Sequence, residues 1–273
     1  MSELEYLPTG VDPHVPNPAR MYDYYLGGKD NFAADREAAE KMLEIGRRMG
    51  NDGREIARAN RAFLVRAVRL LAESGIRQFV DIGSGLPTQD NVHQVAARHA
   101  SGARVVYVDN DPVVLAHARA LLARDLGAIA VRGDAADPDA ILDDPMVRAH
   151  LDLSRPYAVL MVAVLHFLPD DEVAARAAAR VRARMIPGCH LVLSHLYTGD
   201  AAEDLVEAGQ RVYETAPSRG LAGRDRAQIA SFLGDLELLP PGLVPVQSWD
   251  PATPDVRPDY AQGGILAAVA RHP

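Results

Sequence analysis

The sequence predicts an α/β protein built on a doubly wound, mostly parallel sheet. Short apolar segments and helical segments alternate from residue 78 onward, which is typical of right-handed βαβ units. The predicted strands at 78–82, 104–108, 128–131 and 157–162 are continuous apolar runs, as expected for strands buried on both faces. The last two apolar segments, 243–249 and 265–270, follow one another without a helix, so they indicate an antiparallel pair at one sheet edge.

Helical segments separate these strands. Three of them are predicted at 91–100, 112–126 and 170–185, and the second has Asp111 as its N-cap and Pro112 at its first position. A fifth strand follows at 190–195, and then helices at 199–215 and 226–233.

The N-terminal part of the chain precedes the first strand. Residues 1–16 contain three prolines and one glycine, which predict an irregular arm. Helices are then predicted at about 19–26, 31–48 and 52–75. We therefore divide the chain into an N-terminal arm and helical lid, 1–75, and an α/β core, 76–273.

Composition excludes several classes of protein. The chain of 273 residues carries a net charge of −8, which argues against a general nucleic-acid-binding surface. Its single cysteine, Cys189, excludes an intrachain disulfide and a cysteine zinc cluster. The sequence shows neither a signal peptide nor an apolar run of membrane-spanning length, so we expect a cytoplasmic protein that does not enter a membrane.

A glycine turn follows the first strand. The segment reads Asp81-Ile82-Gly83-Ser84-Gly85, and Gly83 and Gly85 can adopt backbone angles that bring unpaired N–H groups close to a ligand. The dinucleotide fingerprint is incomplete, because Thr88 stands where its third glycine would be. The turn alone is therefore compatible with a nucleotide site or with an ordinary strand-to-helix connection.

Acidic residues end the first three strands, where ligands of open α/β sheets bind. Asp109, with Asn110 beside it, can accept hydrogen bonds from two ribose hydroxyls. Asp134 can accept from an adenine amine, and the Ala135 N–H can donate to the adenine ring. Asp81 is expected to brace the glycine turn or to meet an amino group through water. Solvated loop carboxylates remain the alternative for Asp134.

Two histidines end the fourth and fifth strands. His166 is a candidate general base because histidine titrates near neutrality, and His195 has a similar position. Packing at the strand end is the alternative for both. Without a further ligand these two residues do not make a metal site, so we predict no bound metal.

The N-terminal helices supply further candidates. Tyr25, Lys29 and Asn31 lie beside a glycine pair and would close on a ligand if the helices form a lid. Asn60 lies on the apolar stripe of the third helix, where a buried amide needs partners. It would contact either the ligand or a structural loop.

The chain resembles class I S-adenosylmethionine-dependent methyltransferases in the spacing of its glycine turn, Asp109, the Gly133-Asp134 pair and the late β pair. Its N-terminus is similar to a family of predicted S-adenosyl methyltransferases with largely unassigned acceptors, and segments 19–32 and 57–64 carry this likeness as ARMYDYYLGGKDNF and ARANRAFL. The resemblance implies a Rossmann-like seven-stranded sheet of order 3-2-1-4-5-7-6, with the last strand antiparallel and an N-terminal helical extension.

The same resemblance implies roles for the strand-end residues. Gly83, Ser84 and Gly85 would line the methionine part of S-adenosylmethionine, Asp109 would hold the ribose, and Asp134 with Ala135 would hold the adenine. The segment from Ala163 to His166 would face the methyl group.

The implied reaction is direct displacement by a small-molecule acceptor, with His166 as base and Tyr25 or His195 behind it. Two alternatives remain open, a non-catalytic cofactor-binding module and a nicotinamide-dependent dehydrogenase. The sequence also leaves the acceptor and homo-oligomer formation open.

Overall fold

The computed structural model describes residues 11–87, 90–122, 125–214, 216, 220–253, 259–260 and 263–273. Most of the predicted N-terminal arm and Thr88 of the glycine turn therefore lie outside the described residues. None of the described helices is long and apolar enough to cross a membrane.

The described elements alternate much as predicted. The helices are α1 Pro18–Tyr25, α2 Ala33–Arg48, α3 Gly53–Glu73, α4 Val92–His99, α5 Pro112–Leu122, α6 Pro138–Asp143, α7 Pro145–His150, α8 Asp171–Arg184, α9 Glu203–Val212 and α10 Arg226–Ser231. The strands are β1 Gln78–Ile82, β2 Arg104–Asp109, β3 Ala128–Arg132, β4 Ala158–Val162, β5 His190–Tyr197, β6 Glu237–Leu238, β7 Val244–Pro245 and β8 Gly264–Arg271. The short helices α6 and α7 were not predicted.

The sheet confirms the predicted fold class. Its strand order is β3-β2-β1-β4-β5-β8-β6, and β1 to β5 are mutually parallel. The late strand β8 inserts antiparallel between β5 and β6, as expected for the reversed last strand. Because the strand order reverses beside β1, the carboxyl ends of β1, β2 and β4 border one crevice.

The predicted strand at 243–249 is wrong in detail. Only Val244–Pro245 pairs with β8, and a 3₁₀ turn, Val246–Ser248, follows it. Pro245 has no N–H for a continued ladder, and Trp249 packs edge-on against Phe63 of α3, with 5.0 Å between ring centroids. The edge position is instead shared by two strands of two residues each, β6 and β7.

The N-terminal helices pack onto the sheet at the crevice. Phe63 and other apolar residues of α3 share one buried cluster with β1 and β4 residues such as Phe79 and Leu160. The helices α1 and α2 are joined by a buried ion pair, in which Arg20 Nε lies 2.8 Å from Asp35 Oδ2. The helix α3 thus belongs to the layer that covers the sheet, and the division at residue 75 stays a prediction.

Candidate active site

The glycine turn and the end of β2 are held together before any ligand binds. The N–H groups of Gly83 and Ser84 donate to the Val108 carbonyl, at 2.8 and 3.1 Å. The Gly85 N–H donates to Asp109 Oδ2 at 3.0 Å, and the Asp111 N–H donates to Asp109 Oδ1 at 2.9 Å. Gly83 and Gly85 have φ values of +74° and +66°, which glycine adopts without strain. The turn is therefore preorganised around one carboxylate.

The carboxyls of Asp81 and Asp109 share this crevice and are both buried. The pKa of Asp81 is raised to about 7. Burial is the main cause, Arg61 opposes the rise, and the nearby Asp109 charge adds to it. Burial likewise raises the pKa of Asp109 to about 6, against the lowering effect of its backbone hydrogen bonds. Two acids of this kind make a site that favours a cationic or hydrogen-bond-donating ligand.

These raised pKa values predict a cost in stability. Because both folded-state values lie above the ordinary carboxyl range, these two carboxyls bind more protons in the folded chain than in the unfolded chain between about pH 4 and pH 7. Their contribution to the free energy of unfolding therefore falls as pH rises through that interval. We expect Asp81→Asn to remove part of this cost and to stabilise the ligand-free protein at about pH 8 by at most about 4 kcal/mol.

Urea denaturation at about pH 8 and about pH 5 measures this effect. The advantage of Asp81→Asn should shrink at the lower pH, where the wild-type carboxyl is already protonated. Asp235→Asn, at an exposed position, serves as the control and should leave stability unchanged at both values. An advantage of Asp81→Asn that is the same at both pH values would contradict the assignment.

The third strand end completes the wall next to Asp109. Asp134 is exposed, and its Oδ1 accepts the Ala136 N–H at 2.9 Å, so its carboxylate is oriented by its own turn. A Cβ on Gly133 would lie 2.6 Å from Val108 Cγ1 and 2.7 Å from Ile141 Cγ1. Glycine at this position therefore permits the close packing that brings Asp134 and Ala135 to the crevice.

A buried hydrogen-bond chain holds the residue after β4. Ala163 has a φ of +57°, an uncommon conformation for a residue with a side chain. Its N–H donates to the Ser194 hydroxyl at 3.0 Å, and that hydroxyl donates to Asn60 Oδ1 at 2.7 Å. The Asn60 amide in turn donates to the Tyr22 hydroxyl at 3.1 Å. Asn60 lines the cavity and also has the structural role that the sequence left open.

His166 is presented as a donor and not as a base. The Leu196 N–H donates to His166 Nδ1 at 3.2 Å, so in the neutral ring the proton must sit on Nε2. Burial, His195 and Arg224 all hold the pKa of His166 well below its usual value. If His166 took up a second proton, its Nδ1–H would point at the Leu196 N–H. The geometry therefore corrects the expected base role of His166.

His195 does not reach the cavity. It is fully buried, its Nδ1 donates to the Leu196 carbonyl at 2.7 Å, and its Nε2 accepts from Arg224 at 2.9 Å. Burial lowers the pKa of His195 to about 3. Since both ring nitrogens are used in the core, the predicted catalytic role of His195 is corrected to a packing and hydrogen-bonding role.

Lys29 and Asn31 also lie outside the cavity lining. Lys29 is exposed, and the Asn31 amide donates to Asp23 Oδ2 at 2.8 Å and to the Gly28 carbonyl at 3.1 Å. Asn31 thereby fixes the turn between α1 and α2, and the predicted ligand contacts of these two residues are corrected. Tyr25 does line the cavity.

The cavity itself has a volume of about 440 Å³, within the range of small-molecule sites. All but three of the predicted site residues line it, and the lining members are Tyr25, Asn60, Asp81, Gly83, Ser84, Gly85, Asp109, Asn110, Asp134, Ala135, Ala163 and His166. The sequence did not predict the outer wall, which is formed by α2, its C-cap residue and α9 through Met42, Ile45, Met49, Leu205, Val206 and Gly209. The apolar stripes of these helices were visible, but nothing in the sequence showed that they face each other.

A crevice of this kind, with a glycine turn and an acid on adjacent strand ends, is typical of Rossmann-like proteins that bind a nucleoside cofactor. The model of the S-adenosyl methyltransferase family matches residues 5–273. The chain belongs to this family, and its cofactor is S-adenosylmethionine.

Solved structures agree with this assignment. A predicted methyltransferase from Thermobifida fusca YX is 38% identical, with a TM-score of 0.83 and coverage of 98% of each chain. A DUF574 family protein from Streptomyces avermitilis is 39% identical, with a TM-score of 0.83, and the match covers 96% of this chain and 99% of that one. No curated protein sequence matches the chain.

The residues present fit the cofactor. The side of Gly85 on which a Cβ would stand has no atom of the described residues within 4 Å, so a ligand can approach this backbone closely. Asp109 supplies buried acceptor oxygens at the neighbouring strand end. A sulfonium cofactor without a pyrophosphate needs no third glycine, which agrees with the incomplete dinucleotide fingerprint.

Proposed function

We propose that the protein transfers a methyl group from S-adenosylmethionine to a small-molecule acceptor by direct displacement. A lone pair of the acceptor would form the new bond to the methyl carbon as the carbon–sulfur bond breaks, S-adenosylhomocysteine would leave, and the proton of a hydroxyl or amine acceptor would pass to solvent. The observation that carries this proposal is the continuity of one cavity, which runs from the glycine turn and Asp109, past Ala163, to the space between α2 and α9. When bound, the cofactor supplies an activated methyl group on a positively charged sulfur. The residues of the chain have to orient an acceptor and exclude water.

We propose that the cofactor is held by the strand-end residues. Asp109 would bind the ribose hydroxyls, Asp134 and the Ala135 N–H would bind the adenine, and Gly83 to Gly85 would line the methionine part. Asp81 and Asn110 would line the cofactor site beside these residues. The proposal is supported by the common orientation of these groups into one crevice and by the free approach to Gly85.

We propose that His166 positions the acceptor by donating a hydrogen bond from Nε2. Its Nδ1 is engaged by the Leu196 N–H, so an acceptor oxygen or nitrogen would supply a lone pair to the free ring edge. Burial, together with the neighbouring Tyr213, raises the pKa of Tyr25 well above its ordinary value. Tyr25 is then a neutral partner that cannot serve as the base at neutral pH.

Calorimetric titration tests the cofactor assignment. We expect saturable binding of S-adenosylhomocysteine to the full chain and no saturable binding of NADH. Saturable NADH binding without a response to S-adenosylhomocysteine would instead support a dehydrogenase. Incubation with isotope-labelled cofactor and a metabolite mixture, followed by mass spectrometry, then tests for transfer; intact cofactor binding with no labelled product from any acceptor would favour a non-catalytic module.

A further inference from the structure

The cavity has two ends that differ in charge. Among the described residues, the charged side chains that line the cavity all lie at or opposite the strand ends. They are Arg61, Asp81, Asp109, Asp111 and Asp134. Asp81 and Asp109 are also the groups whose pKa values burial raises. Charge is therefore concentrated at the end where the cofactor is proposed to bind.

The other end is apolar. It lies between α2 and α9 and continues to the ends of β5 and β8, and its apolar lining consists of Met42, Ile45, Met49, Ile56, Leu196, Leu205, Val206, Leu221 and Ile265. No Asp, Glu, Lys or Arg of the described chain lines this end. A ligand there would exchange water for hydrocarbon on most sides.

The polar groups at this end carry no charge near neutrality. Tyr25 and Tyr213 both line the cavity, and burial raises the pKa of Tyr25 well above its ordinary value and the pKa of Tyr213 to about 12. His166 is neutral with its Nδ1 engaged. Gln210 and Thr198 add neutral donors and acceptors. These groups can recognise a hydroxyl or carbonyl oxygen, but none of them can neutralise a charge.

We infer that the methyl acceptor is an uncharged, largely apolar small molecule that lies between α2 and α9, with its polar end toward His166 and Tyr25. This inference rests on the proposed function. A carboxylate or ammonium in this compartment would lose its hydration without gaining a counter-charge, and such burial is strongly unfavourable. An apolar ring or chain gains from the same burial.

Gly209 is a specificity-determining position in this compartment. It lies inside α9, where glycine is disfavoured relative to alanine, and it is buried against α2. A Cβ there would contact Met42 Cε at 3.6 Å and Met42 Sδ at 3.9 Å. The missing side chain thus keeps space between the two helices, and a bulky residue would fill it.

Binding of three probes to the protein saturated with S-adenosylhomocysteine tests this inference. The probes are naphthol, which is neutral, naphthoate, which is an anion, and naphthylmethylamine, which is a cation at neutral pH. We expect naphthol to bind at least about tenfold more tightly than either charged probe by calorimetry. We expect Gly209→Leu to weaken naphthol binding by at least about tenfold, with unchanged affinity for S-adenosylhomocysteine.

Two further variants keep the test decisive. Val206→Trp narrows the same compartment from one turn earlier in α9, and it should act like Gly209→Leu if that variant fails to fold. Glu207→Leu places an added leucine on the exposed side of α9 and should leave naphthol binding unchanged.

Three results would overturn the inference: equal binding of a charged probe, no saturable naphthol binding, or naphthol binding that neither cavity-filling variant weakens. If the wild type does not bind S-adenosylhomocysteine, the proposed function itself is contradicted. Failure of the inference about the acceptor can therefore be distinguished from failure of the proposed function.

Discussion

Replacing Asp109 with asparagine is expected to weaken S-adenosylhomocysteine binding by at least about 100-fold. Two hydroxyl hydrogen bonds to a buried carboxylate contribute about 1.5–3 kcal/mol each, and each 1.4 kcal/mol corresponds to a factor of ten. The amide keeps the size of the side chain, but it offers only one acceptor oxygen, and that oxygen is already used by the Gly85 or the Asp111 N–H. Calorimetric titration of both proteins measures the difference.

The same variant should not unfold the protein. Burial raises the pKa of Asp109 to about 6, so the wild type loses stability when this carboxyl ionises, and asparagine avoids that cost. We expect a change in unfolding free energy within about 1 kcal/mol, because one lost backbone hydrogen bond offsets the gain. Asp235→Asn, at an exposed position, is the binding control. Unchanged affinity in Asp109→Asn would show that the ribose lies elsewhere.

The second large effect separates two neighbouring glycines. Gly83→Ala is expected to destabilise the protein by about 2–4 kcal/mol, since a left-handed alanine costs about 1–2 kcal/mol and steric overlap adds a similar amount. Its Cβ would lie 2.4 Å from Val164 Cγ2 and 2.8 Å from Val164 Cβ. A β-branched side chain fixed after Ala163 cannot rotate away at low cost. Thermal and urea denaturation measure the loss.

Gly85→Ala is the matched control for that effect. Its φ of +66° carries the same backbone cost, but no atom of the described residues lies within 4 Å of the added Cβ. We therefore expect a loss in stability of only the backbone cost, about 1–2 kcal/mol. Its methyl group would project where the cofactor is proposed to lie, so S-adenosylhomocysteine binding should weaken although the fold persists. Equal destabilisation by both alanines would mean that the overlap with Val164 is relieved by movement of the loop.

Much of the sheet and of the cofactor side of the site could be predicted from the sequence. Buried parallel strands are continuous apolar runs, and the residues after them must lie at one edge, so Asp81, Asp109 and Asp134 could be placed together without a structure. The glycine turn was similarly local. Such features depend on a few consecutive residues and a general rule of topology.

The remaining features depend on contacts between distant parts of the chain. The proton position on His166 is set by a backbone N–H thirty residues later, at Leu196, and His195 is withdrawn from the cavity by Arg224. Lys29 stood next to a conspicuous glycine pair, but the turn directs it to solvent. The outer wall forms because the apolar stripe of α2 faces that of α9. An apolar stripe in the sequence shows which face of a helix is buried, but it does not show which element packs against that face.

The two walls of the cavity are built from separate parts of the chain. Backbone hydrogen bonds to Val108 and Asp109 set the glycine turn, whereas the opposite wall consists of side chains on the surfaces of two helices. We therefore expect substitutions at Met42, Met49 or Val206 to change ligand binding in the outer part of the cavity and to leave the proposed cofactor contacts unchanged. Proteins with this architecture can therefore come to bind different ligands in the outer part of the cavity through a few substitutions on the surfaces of two helices.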